Sequence, residues 1–169
     1  MAFIKSGGNT VSFAEVSDVQ SADQRLFEAN EGLTDTIVED ALFRSTARLL
    51  VLIQHTDWWR DLMIAKEPNQ SYQTLADIPP VDPNKIIGRQ DDFTELCVYY
   101  ALWNYLLPKI ADFSKEDNAE RAKIGFNQEK YNFRFEELIN AGDWYDIGGD
   151  GVVQSNEKVP GHMSLRRVR

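Results

Sequence analysis

Cys97 is the chain's one cysteine, and His55 and His162 are its two histidines. These are the side chains to test first for nucleophilic or acid–base chemistry. Cys97 sits among Leu96, Val98, Tyr99 and Tyr100 with no nearby histidine. A reactive thiolate needs an electropositive setting, so the expectation is a buried, inert thiol. One cysteine also excludes an intrachain disulfide. His55-Thr56-Asp57 holds residue types found in nucleophile triads, but no G-x-S-x-G turn or equivalent accompanies it. The paired acids Asp91-Asp92 and Glu136-Glu137 are sequence neighbours. On a helix, adjacent residues point in different directions, so neither pair makes an acid/base dyad. Asp143, Asp146 and Asp150 fall in a glycine-rich stretch, yet they lack the alternating ligands and closing bidentate Glu of a calcium loop. Turn chemistry is the better account of Asp and Gly there. Gly7-Gly8 and Gly148–Gly151 lack the Lys-Ser/Thr of a phosphate loop. No catalytic, cofactor-binding or metal-binding residue is therefore assigned, and the chain is not expected to be an enzyme.

The elements that would position such residues are helical. Apolar residues at Ile37, Val38, Ala41, Leu42, Ser45, Leu49, Leu52 and Ile53 repeat every three or four positions, which predicts a helix from Thr34 or Asp35 to about Gln54. Thr56-Asp57 offers a cap for a short helix through Trp58, Trp59, Leu62 and Met63. A second long helix is expected over about Asp92–Ala111, capped by Asp92, with Phe93, Leu96, Cys97, Tyr100, Ala101, Asn104 and Leu107 facing inward and Pro108 kinking it or ending it early. A third should run from about Lys115 to Asn140 with Ala119, Ala122, Phe126, Phe133 and Leu138 inside, stopped by Gly142. Ser12-Phe13-Ala14-Glu15 has the capping-box pattern for a short helix over Phe13–Val19, and Ser21 is a candidate cap for Ala22–Asn30.

The rest of the chain is connecting or terminal. Residues 1–12 read as an N-terminal arm, and 13–142 as one helical-bundle domain. Within it, 67–89 is a loop rich in proline, with a two-strand insertion as the weaker alternative. Residues 143–169 read as a small β-hairpin, with Asp150-Gly151 as its turn and Val152-Val153-Gln154 as a strand, followed by a basic extended tail. The fold class is thus mainly α, a helical bundle with extended N- and C-terminal arms and a small hairpin near the C-terminus.

Charge is unevenly spread. The net charge is -9. Residues 151–169 carry Lys158, Arg166, Arg167 and Arg169 against Glu157, a net of +3, so the rest carries -12 (-9 less +3). The tail is either an ordinary solvated terminus or a segment that docks on an acidic neighbour, such as another copy of the chain. An acidic body repels phosphate, which argues against tight non-specific nucleic-acid binding. The longest apolar runs, Leu49–Ile53 and Cys97–Leu102, fall far short of the ~20 residues of a membrane span. Met1–Gly8 holds no apolar signal-peptide core, so synthesis in the cytoplasm is expected.

Several stretches taken together resemble one family. The chain has ALFRSTARLLVLI ending in HTDWWRDL, then DFTELCVYYALWNYLLPKIADF, then ERAKIGFNQEKYNFRFEELI, and finishes with GDWYDIGGDGVV and a basic LRRVR. In helix order, aromatic placement and tail character this is similar to the helical head–tail adaptor (connector) proteins of tailed bacteriophages, over about residues 12–150. The resemblance implies a structural protein of the virion neck, assembled in the host cytoplasm. Such adaptors form a ring, usually of twelve subunits, beneath the portal, and DNA passes through the lumen without specific binding. The implied partners are other copies of the chain, the portal and the next neck or tail protein, with no membrane.

The expected interface residues are Phe3 and Ile4 of the N-terminal arm, Trp58, Trp59 and Trp144 as aromatic contacts at or near a subunit seam, and Arg166, Arg167 and Arg169 of the tail. For Trp58-Trp59 the plainer expectation is one buried and one half-exposed core tryptophan. Another neck or tail-completion protein, a small helical regulator that binds a partner without forming a ring, and an enzyme with a dispersed site are the alternatives.

Overall fold

The computed structural model describes residues 3–29, 32–66, 72, 74–111, 119–155 and 157–158. It is mainly α, as expected. In chain order the elements are β1 (Ile4–Ser6), β2 (Asn9–Ser12), α1 (Val16–Ala22), α2 (Gln24–Ala29), α3 (Asp35–Gln54), α4 (Asp57–Lys66), α5 (Gln90–Ala101), a π turn (Leu102–Leu106), α6 (Leu107–Ile110) and α7 (Ala119–Ala141), with short 3-10 turns at Leu75–Asp77 and Pro83–Lys85. The chain divides into two compact units, where the sequence suggests one bundle: Met1–Leu49 with Gln90–Phe135, and Leu50–Arg89 with Glu136–Arg169.

In the first unit the two strands pair antiparallel, with Ser6 opposite Asn9, Lys5 opposite Thr10 and Ile4 opposite Ser12. Gly7 and Gly8 make the turn at φ 58° and 87°. A two-residue turn with positive φ at both positions suits the twist of a hairpin, and glycine adopts it without steric cost. The expected arm is thus a hairpin, and the expected hairpin after residue 143 is absent among the described residues. Phe3, at the hairpin's edge, is buried beside Phe13 (ring centroids 4.5 Å apart), and both rings meet Phe93 of α5 at 6.2 and 5.3 Å.

The backbone leaving the hairpin is satisfied by side chains. Phe13 N–H donates to Thr46 Oγ1 at 3.1 Å, and Thr94 Oγ1 donates to the Phe13 carbonyl at 2.7 Å. Thr46 Oγ1 also lies 3.4 Å from Cys97 Sγ. Burial pushes the Cys97 thiol up to about 12, against smaller lowering by Thr46 and Phe13.

Three caps differ from expectation. Ser12 Oγ turns back to the Ala14 carbonyl at 2.7 Å, and Glu15 caps α1, its N–H donating to Asp18 at 2.8 Å. Ser21 lies inside α1 and donates to the Ser17 carbonyl. α5 begins at Gln90, which puts Asp91 and Asp92 in its first turn, where acids suit the positive helix end. Pro108 has no N–H and its ring crowds the carbonyl four residues back. The helix answers with the π turn, in which Leu107 N–H reaches the Leu102 carbonyl. That extra residue shifts the phase: Leu106 turns inward and Asn104, expected inside, is exposed.

The second unit is built on aromatic rings. Trp58, Trp59, Trp144 and Tyr145 are buried with Ile53, Leu62 and Ile86. Trp58 packs on Trp144 at 4.6 Å, and Trp59 meets Tyr145 edge-on at 4.8 Å. The indole N–H groups find carbonyls, Trp59 that of Pro79 at 2.8 Å and Trp144 that of Leu138 at 3.1 Å. Gly142, at φ 58°, follows the last residue of α7 as expected.

Candidate functional site

α7 holds the surface most unlike an ordinary solvated face. The sequence reading places Phe126 and Phe133 inside. Instead Asn127, Tyr131 and Leu138 are buried, while Phe126 is 56% exposed and Phe133 65%. Asn127 is tolerated inside because its amide donates to the Lys123 carbonyl at 2.8 Å. Tyr131 joins Tyr100 at 5.2 Å, Trp103 at 5.7 Å and Phe135 at 5.6 Å. Burial holds its hydroxyl well above the ordinary tyrosine range, and among the described residues that hydroxyl has no hydrogen-bond partner. The inner stripe is legible as Ile124, Asn127, Tyr131, Arg134, Phe135 and Leu138, at helical spacing. The outer stripe competes with it in hydrophobicity, which is why periodicity chose the wrong side.

Phe126 and Phe133 are two turns apart on one helix face, with Glu129 and Lys130 between them. The Lys130 ammonium sits 5.5 Å from the Phe126 ring centroid. Large aromatic rings held in a rigid helix and set among charged residues have the character of binding anchors, because they bury much area with little loss of side-chain freedom. A groove between α1 and α5 and the exposed ring of Phe43 on α3 lie in the same unit.

The sequence-derived interface residues fall elsewhere. Phe3, Trp58, Trp59 and Trp144 are buried, and Ile4 is half-buried. Both Trp58 and Trp59 are core residues, so the half-exposed member expected of that pair is missing. A partner reaching this chain's surface would not meet these four rings directly. Arg166, Arg167 and Arg169 lie outside the described residues.

The glycine-rich segment after α7 is organised by its acids. Asp146 accepts the N–H groups of Gly149 and Gly151 at 2.6 and 2.7 Å. Glu157 accepts those of Gly148 and Gln154 at 2.7 and 2.8 Å. Asp146 N–H in turn donates to Lys85 O at 2.9 Å, and Ile86 forms an isolated antiparallel bridge to Tyr145. Burial works against the Asp146 charge, but backbone N–H donors outweigh it and hold the carboxyl below its ordinary value. The carboxylates serve the backbone here, and among the described residues no group of three or more His, Cys, Asp and Glu is placed to hold a metal ion. His55 is exposed in the short link between α3 and α4. No described helix is long and apolar enough to cross a membrane.

Comparison with known protein families, with curated proteins and with solved structures gives no match.

Proposed function

We propose that the chain is a structural head–tail adaptor of a tailed bacteriophage, a subunit of a ring under the portal that joins capsid to neck and tail. The observation that carries the self-assembling part of this reading is the outward ridge of Phe126 and Phe133 on α7. The resemblance in helix order and aromatic placement supplies the class of assembly, and the mainly helical fold agrees with that class. The ring is a dodecamer, as in the resembled family, and its other partners are the portal and the next neck or tail protein.

The charge supports passage of DNA. A duplex held by lysine and arginine gains counterion-release free energy and stays bound. A chain of net charge -9 offers a surface that repels phosphate, so DNA can slide without specific binding. A ring also requires each subunit to present two different faces, one meeting the other around the seam.

The ridge is tested by replacing both rings with charge. Phe126→Asp with Phe133→Asp should abolish higher-order assembly in sedimentation while leaving helical content and Tm close to the parent's. Unchanged assembly in a folded double variant would take the ridge out of the interface. A monomer–dimer equilibrium of the parent, with no larger species on its own or in particles, would favour a small helical partner-binding regulator instead.

A further inference from the structure

A groove of about 510 Å³ runs between α1 and α5 in the first unit. Ala22, Val98 and Tyr99 give it apolar walls, and Asp18, Asp91 and Glu95 give it an acidic rim. Among the described residues no lysine or arginine lines it. Asp18 accepts the Glu15 N–H at 2.8 Å, and Glu95 lies 3.2 Å from Arg134, which partly offsets its charge. Burial first, and then the negative charge of Glu95, raise the Tyr99 hydroxyl above its ordinary value, as expected in a negative, partly desolvated site.

The described residues end at Lys158, and VPGHMSLRRVR follows. This segment has three arginines, no acid, and Leu165 and Val168 set among the arginines. Eleven residues can span about 36–40 Å when extended, enough to cross a seam between subunits. Arginine suits carboxylate-rimmed sites because its planar fork can pair both oxygens at once. In an extended strand, residues alternate sides, so Leu165 shares one side with Arg167 and Arg169, and Val168 shares the other with Arg166. Either side therefore offers an apolar group with a cation to a groove that has apolar walls and an acidic rim.

We propose that residues 165–169 of one copy dock in the α1–α5 groove of the next copy with one side of the segment facing in, its arginine at the rim formed by Asp18, Asp91 and Glu95 and its aliphatic side chain against Ala22, Val98 and Tyr99. This rests on the ring reading above for its second copy. It makes the contact head-to-tail, a tail on one side of a seam and its receptor on the other. It also gives the uneven charge a role: the tail's net +3 is drawn to the acidic body of a neighbour, in a salt-dependent way.

Pairwise cross-linking between two full-length populations tests this. One carries Ser21→Cys at the groove rim, and the other Ser164→Cys beside the docking segment. The native Cys97 is buried with its thiol pushed up to about 12, so it does not compete. Mixed at assembling concentration under mild oxidation, the two should form a disulfide-linked dimer that neither forms alone. Asp91→Lys in the groove chain should cut the yield about tenfold, because like charges then meet across the contact. Deleting residues 165–169 from the tail chain should abolish the link, and this second variant leaves the described fold untouched should Asp91→Lys disturb it.

Rings seen by electron microscopy without any cross-link would overturn the groove assignment and leave the ring reading standing. A link formed only inside a chain carrying both cysteines, at any dilution, would mean that the tail fills its own groove, and would overturn docking between copies. Absence of both rings and link would defeat the ring reading and this inference with it.

Discussion

Gly88 stands where the backbone leaves no room for a side chain: a Cβ there would lie 2.7 Å from the Asp143 carbonyl oxygen and 2.9 Å from the Trp144 Cα. The approach is close because the N–H groups of Ile87 and Gly88 both donate to the Trp144 carbonyl at 3.1 Å. Gly88→Ala must push those strands of backbone apart, and should destabilise by about 1–3 kcal/mol, the range of overpacked sites, read from urea unfolding followed by tryptophan fluorescence. The neighbouring Arg89 takes φ 51°, rare for a residue with a Cβ, while its guanidinium pairs with Asp143 through both carboxylate oxygens. The hydrogen bond and charge of Arg89 hold the Asp143 carboxyl below its ordinary 3.8, against some opposing burial. A depressed folded-state value means that the pair's stabilisation is present above the ordinary value and is lost as pH falls through the lowered one. Asp143→Asn should therefore be less stable than the parent by up to about 1 kcal/mol at neutral pH, as for a partly exposed pair, and the gap should close in acid. Tyr131→Phe should fold as well as the parent or slightly better, because it removes a buried hydroxyl without a partner among the described residues; a clear loss of Tm would reveal a partner for that hydroxyl. Among these residues the sequence marks Gly142 as a helix stop, because a glycine after a helical run has one common use. Gly88 carries no such mark, since its constraint comes from a backbone more than fifty residues away.

At the scale of elements, α3 is the most legible because its expected stripe keeps one phase: Val38, Ala41, Leu42, Ser45, Leu49 and Ile53 are buried, and Ile37 and Leu52 half-buried. α5 was legible to Ala101 and then lost, since a π turn inserts a phase shift that a fixed helical period does not contain. The hairpin at Ile4–Ser12 had a signal, Gly7-Gly8 between Ile4 and Val11, that the polar composition of the segment obscured. After residue 143 the local signal and the structure part in the opposite sense. Asp150-Gly151 before two valines suggests a hairpin, but Asp146 and Glu157 take the N–H groups that strands would need. In α7 the sequence offers two apolar stripes, and only the tertiary partners Tyr100 and Trp103 select the one carrying Tyr131. The stripe left outside, with Phe126 and Phe133, is the candidate interface. Exposed substitutions usually change stability by within about 0.5 kcal/mol, and Phe126→Asp with Phe133→Asp should behave so in thermal unfolding while assembly is lost.

For the whole molecule, the expected contact rings proved to be core and the expected tail arginines lie outside the described residues. What the sequence made visible was class and charge: helices at the right spacings, and an acidic chain with a basic end. Which surface faces a partner was not visible, because a contact between copies leaves the same apolar signature as a contact within one. The proposed ring should respond to salt in a particular manner. Ionic strength weakens a tail held by arginine–carboxylate pairs but leaves a phenylalanine contact largely intact. Electron microscopy of the purified full chain and of particles from its source tests the ring most directly. The account predicts a closed ring with twelve-fold symmetry, seated between capsid and tail. A chain that stays monomeric, with no corresponding ring in any particle, would contradict it.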